Sequence, residues 1–303
     1  MKTKSLNSIQ LTVQINLYQD WATHLGNELT KIGYSIPSDW DAQQVAMAYF
    51  NVQKRRISSN PRSFAFATDF NCPPDFQTGL DLLREKSVLG EDINSHGSRS
   101  LKQAEKFDGL LFDWGIHHFH LGIALEPDGF VVRTGPVLLA VVKNDTIYCI
   151  GIRSHGTTNP YVWAEKDLLE IIHRDWPELI ADFRLDVKNV FPKVTEQEYH
   201  EMRKSGLTML IELQDGSVFA PPGGGYMSAG NSHDALDVHD RFAISLVNLE
   251  RKFKDEISRH ASRIWRCNKY QGRIFNFSLE RSQNSWIVRE KKSGLDFCKI
   301  QES

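Results

Sequence analysis

The run Val137-Leu138-Leu139-Ala140-Val141-Val142 is apolar throughout, with no polar position interleaved. A strand covered on one face alternates with a period of two, so an unbroken run predicts a central strand buried on both faces. Around it, 114–123, 130–133 and 146–153 also have strand composition. Glu126-Pro127-Asp128-Gly129 and Lys143-Asn144-Asp145 carry hairpin-turn residues, which predicts antiparallel neighbours. Leu168, Leu169, Ile171 and Ile172 then lie on a predicted helix over 166–174, closed by Pro177. Antiparallel strands followed by a packing helix make an α+β fold.

Outside this block, 1–110 reads as mostly helical. Trp21, Leu25, Leu29 and Ile32 recur at helical spacing up to Gly33, a second helix starts near Asp39 or Asp41, and a third covers 76–86. The glycine- and serine-rich stretch 90–103 is a loop. Toward the other end, Thr195-x-x-Glu198 is a capping box and Gln214-Asp215-Gly216 a hairpin turn. A long helix with Ser232 as N-cap carries Val238, Phe242, Leu246, Leu249 and Phe253 along one face. A β-meander over 273–279, 285–290 and 296–300 follows. The expected organisation is a helical N-terminal region (1–110), an antiparallel sheet with its helix carrying the active site (111–190), and a C-terminal α+β part (191–303).

Of 303 residues, 41% are hydrophobic and 24% charged, which is enough to build a core. With 36 basic and 38 acidic residues, bulk positive charge cannot hold nucleic acid, although a local basic groove can. Cys72, Cys149, Cys267 and Cys298 form no C-x-x-C pair, so neither a zinc ribbon nor a disulfide framework is expected. The polar stretch after Met1 is unlike a signal peptide, and no long apolar run spans a membrane, so the expected address is the cytoplasm.

The chemistry concentrates in Asp113-Trp114-Gly115-Ile116-His117-His118-Phe119-His120-Leu121-Gly122. Strand alternation sets His117, Phe119, Leu121 and Ile123 on the core face. It leaves His118 and His120 together on the other face, about 7 Å apart. They suit two metal ligands completed by Asp113 or a carboxylate from elsewhere, or a general acid and base served by Arg133 as the cation for developing phosphate charge. Arg153 and His155 share a parity on the later strand, and Ser154-His155-Gly156 releases a side chain into a cleft. Structural histidines bonded to carbonyls are the alternative, and His173 reads as packing. No H-x-x-x-H, H-E-x-x-H or G-x-S-x-G pattern occurs, and no cysteine has a histidine nearby.

Gly223, Gly224 and Gly225 before a helix resemble an anion cradle for substrate phosphate, or else form a flexible loop. Neither G-K-[ST] nor G-x-G-x-x-G accompanies them, and no cofactor is expected. His233, Asp237 and Asp240 share a helix face, as metal ligands or as a solvated polar surface. Lys54-Arg55-Arg56, Arg259–Arg266 and Arg289–Lys292 are candidate phosphate contacts or ordinary surface.

A histidine-bearing strand, an arginine on the next, an apolar central strand and a late strand ending near a histidine resemble the RelE-type endoribonuclease toxins, over about 112–176. Such toxins cut RNA with scattered Arg, Lys, His and Tyr side chains and no metal. The resemblance implies His118, His120, Arg133 and His155 as acid, base and phosphate-stabilising groups, RNA as substrate and an antitoxin or other protein as partner. The leading expectation is a metal-independent ribonuclease or other phosphodiester-directed enzyme serving as toxin or defence effector. The others are a non-catalytic nucleic-acid- or protein-binding module and a His/Asp metal-dependent hydrolase.

Overall fold

The computed structural model describes residues 10–227, 230–267, 269–283 and 285–301, so most of the polar stretch after Met1 lies outside it. The chain opens with β1 (Thr12–Ile15), α1 (Leu17–Lys31), α2 (Ala42–Arg55), β2 (Ser63–Phe66) and α3 (Pro74–Val88). Next come α4 (Gly109–Trp114), β3 (Ile116–His120), β4 (Pro136–Val142), β5 (Thr146–Ser154) and α5 (Asp167–Asp175). After β6 (Arg184–Leu185), α6 (Glu196–Lys204), β7 (Ile211–Glu212) and β8 (Val218–Phe219) come α7 (His233–Asp255) and α8 (Ile257–Arg266). The chain closes on β9 (Ile274–Ser282), β10 (Ser285–Glu290) and β11 (Leu295–Ile300). The fold is α+β. Among the described residues, no helix is long and apolar enough to cross a membrane.

Two compact units emerge, residues 1–49 with 237–303 and residues 50–236. This division cuts across the boundaries read near 110 and 190. The physical reason is a shared sheet, because β1 pairs in parallel with β9, from Thr12↔Ile274 to Ile15↔Phe277. β9, β10 and β11 continue as the expected antiparallel meander. In this unit Leu17, Trp21, Leu25 and Leu29 of α1 are buried, as are Phe242, Leu246 and Phe253 of α7. Val238 is exposed, and His239 takes the inward position instead. Its Nε2 lies 2.8 Å from the Tyr18 hydroxyl and its Nδ1 2.7 Å from Asp240.

The second unit is built on a sheet of order β2-β5-β4-β3, in which β2 runs parallel to β5 and the other pairs are antiparallel. β4 is internal and fully buried from Val137 to Ala140. Leu138, Ala140 and Phe119 face a core with Leu80 and Leu83 of α3. Val137, Leu139, Val141 and Ile116 face another, with Leu168, Leu169 and Ile172 of α5, Tyr199 of α6 and Phe219 of β8. Each such aliphatic side chain contributes roughly 1.5–3 kcal/mol by leaving water. The absence of alternation in β4 follows from these two cores.

Two local expectations are corrected. Trp114 is the last residue of α4, not the start of a strand. Asp108 caps that helix through Leu111 N at 3.0 Å, and Gly115 ends it with φ 74°. A left-handed residue there closes the helix and turns the chain into β3. Beyond His120 the chain leaves the sheet, so Ile123 is 67% exposed and 130–133 forms no strand, only the bridge Leu125↔Val131.

Candidate functional site

Residues paired across an antiparallel ladder share a face. His118 pairs with Leu139, which pairs with Gly151; His120 pairs with Val137, which pairs with Arg153. His155 follows Arg153 at the same parity, so β3 and β5 present three histidines toward one end of the α5-side core. The His118 and His120 rings lie 6.3 Å apart, and those of His120 and His155 5.7 Å apart. Trp163, on a short turn before α5, lies 5.1 Å from His118 and 5.6 Å from His155. His118, Arg133, His155 and Trp163 line a cleft of about 470 Å³, together with His200 and Lys204 one helical turn apart on α6.

Three of the four predicted acid–base and phosphate-stabilising residues therefore meet in one cleft. His120 is the exception. It is 3% exposed, lies beneath the lining, and its Nδ1 faces the Thr134 carbonyl at 3.2 Å. Burial holds its pKa down at about 4, assisted by the neighbouring His118 and Arg133. His155 is likewise held below the ordinary histidine value by burial and then by His118, so its imidazole is neutral near pH 7. Nε2 of His155 is buried with no hydrogen-bond partner, and Asp108 Oδ2 stands 3.6 Å from Nδ1 of His118. Neither Trp163 nor the His200/Lys204 pair emerges from the sequence reading. The i, i+4 spacing of the latter on a helix opened by a capping box is the only signal they leave.

No family model, curated protein or solved structure matches the chain.

Arg153 does not reach the cleft. Its guanidinium lies against Gly151, 3.1 Å from Asp167 and 3.7 Å from Glu165. The glycine loop is not an open anion cradle either. The amide of Gly223 donates to the Asp113 carbonyl at 2.8 Å, Gly225 to the Phe112 carbonyl at 2.9 Å, and Gly224 to the Pro221 carbonyl at 2.9 Å. The loop thus satisfies the carbonyls that the end of α4 leaves free. A Cβ on Gly223 would come within 2.5 Å of Gly115 N and Leu111 O, both backbone atoms. Gly223→Ala should therefore lower stability by about 1–3 kcal/mol, read as a lower urea midpoint. An unchanged midpoint would show that the loop is free to move.

Asp113 does not join His118 and His120. Its Oδ2 accepts from Tyr199 Oη at 2.9 Å and from Arg203 Nε and Nη2 at 2.9 and 2.8 Å. Among the described residues, no group of three or more His, Cys, Asp or Glu is placed to hold a metal ion. On α7, Asp237 pairs with Arg241 and Asp240 with His239. His173 packs edge-on to Phe219 at 5.4 Å and pairs with Asp215 at 3.0 Å.

The buried His120 also sets a pH dependence. Its folded pKa of about 4 lies below the ordinary 6.5, so between these values the unfolded chain binds a proton that the folded chain excludes. Its contribution is present above pH 6.5 and is lost as pH falls toward 4, by up to roughly 3 kcal/mol. Urea unfolding at pH 7 and pH 4.5 should show a smaller loss in His120→Asn than in the parent chain. Equal losses would remove His120 as a cause.

Proposed function

We propose that the cleft cleaves RNA by general acid–base chemistry without a metal ion. The observation that carries this reading is the convergence of His118, His155 and Arg133 on one cleft with an aromatic wall. His155, a neutral imidazole lining the cleft, takes the proton from a ribose 2′-hydroxyl. The 2′-oxygen attacks the adjacent phosphorus, the bond to the 5′-oxygen breaks, and His118 returns a proton to that leaving oxygen. The products are a 2′,3′-cyclic phosphate and a 5′-hydroxyl. Arg133, with Lys204 on the facing helix, offsets the charge that develops on the non-bridging oxygens. Trp163 offers a half-buried ring against which an unstacked base lies.

The resemblance of 112–176 to RelE-type toxins favours the same reading through the histidine strand, the apolar central strand and His155 after β5, although Arg133 lies on a loop and not on a strand. It extends to a role as toxin or defence effector in the cytoplasm, restrained by a protein partner. The test is incubation of the purified chain with labelled single-stranded RNA in EDTA, alone and with ribosomes. Cleavage to cyclic-phosphate ends is expected. Salt-dependent binding with no turnover in either setting would replace this reading with that of a non-catalytic RNA-binding module.

A further inference from the structure

The unit formed by 1–49 and 237–303 carries a second pocket, of about 380 Å³, between α7, α8 and β11. Arg259, Arg263 and Arg266 fall at i, i+4 and i+7 of α8, a stripe about 10 Å long by helical rise. Lys252 of α7 lines the same pocket. The single carboxylate in the lining, Glu256, lies 3.3 Å from Arg259. Among the described residues, no carboxylate stands within ion-pair distance of Lys252, Arg263 or Arg266. Four cations facing one carboxylate leave an excess of like charge that repels, and an anion entering the pocket relieves that repulsion.

The rest of the lining narrows the class of anion. His260 stacks on Phe253 at 4.4 Å and meets Phe297 edge-on at 5.1 Å, while its buried Nε2 has no hydrogen-bond partner. The Arg263 guanidinium lies over Phe297, its central carbon 4.7 Å from the ring centroid, and donates to the Asp296 carbonyl at 3.0 Å. An arginine held on a ring presents a planar cation on which a base can stack. Cations repeating every turn match a repeating polyanion better than one isolated phosphate.

From this combination we infer that the pocket binds single-stranded RNA, its backbone phosphates along Arg259, Arg263, Arg266 and Lys252 and a base against Arg263 and Phe297. The inference rests on the cleavage reading only for the choice of RNA as ligand. The test is fluorescence anisotropy with a fluorescein-labelled single strand of about a dozen nucleotides. It uses the full chain carrying His118→Ala/His155→Ala, so that binding is measured without turnover. Adding Lys252→Glu/Arg266→Glu, two exposed positions that leave the Arg263–Phe297 contact in place, should weaken binding at least tenfold. The slope of log affinity against log salt should fall by about 1.4, roughly 0.7 per lost phosphate contact. Arg251→Glu, the same charge change on an exposed part of α7 outside the pocket, should stay within twofold. Equal loss in Arg251→Glu, or no loss in the double variant, would overturn the inference. So would full displacement of the RNA by millimolar inorganic phosphate at constant ionic strength, which would assign the pocket to a small anion. Should His118→Ala/His155→Ala leave cleavage intact, the catalytic reading falls while this binding result still stands on its own.

Discussion

Replacing His155 by alanine should lower RNA cleavage by roughly 10²–10⁴-fold, the range associated with loss of a positioned general base. The side chain is half-buried at the end of β5 and no residue bonds to its Nε2, so its removal should leave the urea midpoint little changed. A base held below the ordinary histidine pKa also predicts the acidic limb of the pH–rate profile. Activity should rise with pH through a value below 6.5 and flatten once the imidazole is neutral. That limb should vanish from the residual activity of His155→Ala. Adding His118→Ala should cost much less than a second full factor, because groups that act on one transferring proton pair are strongly non-additive. Arg133→Ala should slow turnover by roughly 10²–10³-fold with a small effect on binding, as expected for a group that serves developing charge. Full activity in His118→Ala/His155→Ala would sink the mechanism.

Periodicity made the two-sided burial of β4 legible, and with it the sheet that supports the cleft. Local rules also served where the determinants are local. The Thr195/Glu198 box is present as read, and Gly33 follows α1 with φ 95°. The parity argument that grouped His118 with His120, and Arg153 with His155, agrees with the register of β3, β4 and β5. It could not tell which of those side chains reach solvent. His120 and Arg153 share the face of His118 but end in a carbonyl and two carboxylates, and those partners come from elsewhere in the chain. Long-range pairing hid the rest. β1 and β2 are four residues each and join their sheets as parallel neighbours of distant strands, so neither shows a hairpin or an extended pattern. The role of the glycine loop stayed hidden because the Gly223 and Gly225 amides satisfy the Asp113 and Phe112 carbonyls at the end of α4, more than a hundred residues earlier.

The largest stability effect should come from Arg203. Its guanidinium is 7% exposed, bonds twice to Asp113 Oδ2, donates to the Trp163 carbonyl and lies 4.6 Å over the Trp114 ring and 5.0 Å over Tyr199. Arg203→Met keeps much of the apolar stem but leaves the Asp113 carboxylate buried with only Tyr199 as donor, which should lower stability by about 3–5 kcal/mol. Burial already pushes the Asp113 carboxyl upward against the pull of Arg203, and its Oδ1 has no hydrogen-bond partner. Without the arginine the folded-state pKa rises further above the unfolded value. The folded variant then binds more protons than its unfolded chain, so its deficit against the parent should shrink as pH falls from 7 to 5. Asp113→Leu/Arg203→Met should recover part of the loss, because replacing both partners of a buried pair removes the uncompensated charge. Because Arg203 lines the cleft and holds the Trp163 backbone, Arg203→Met should also slow RNA cleavage under conditions where the variant remains folded. A urea midpoint for Arg203→Met within about 1 kcal/mol of the parent would mean that the pair is dispensable and that Trp163 is positioned by other contacts.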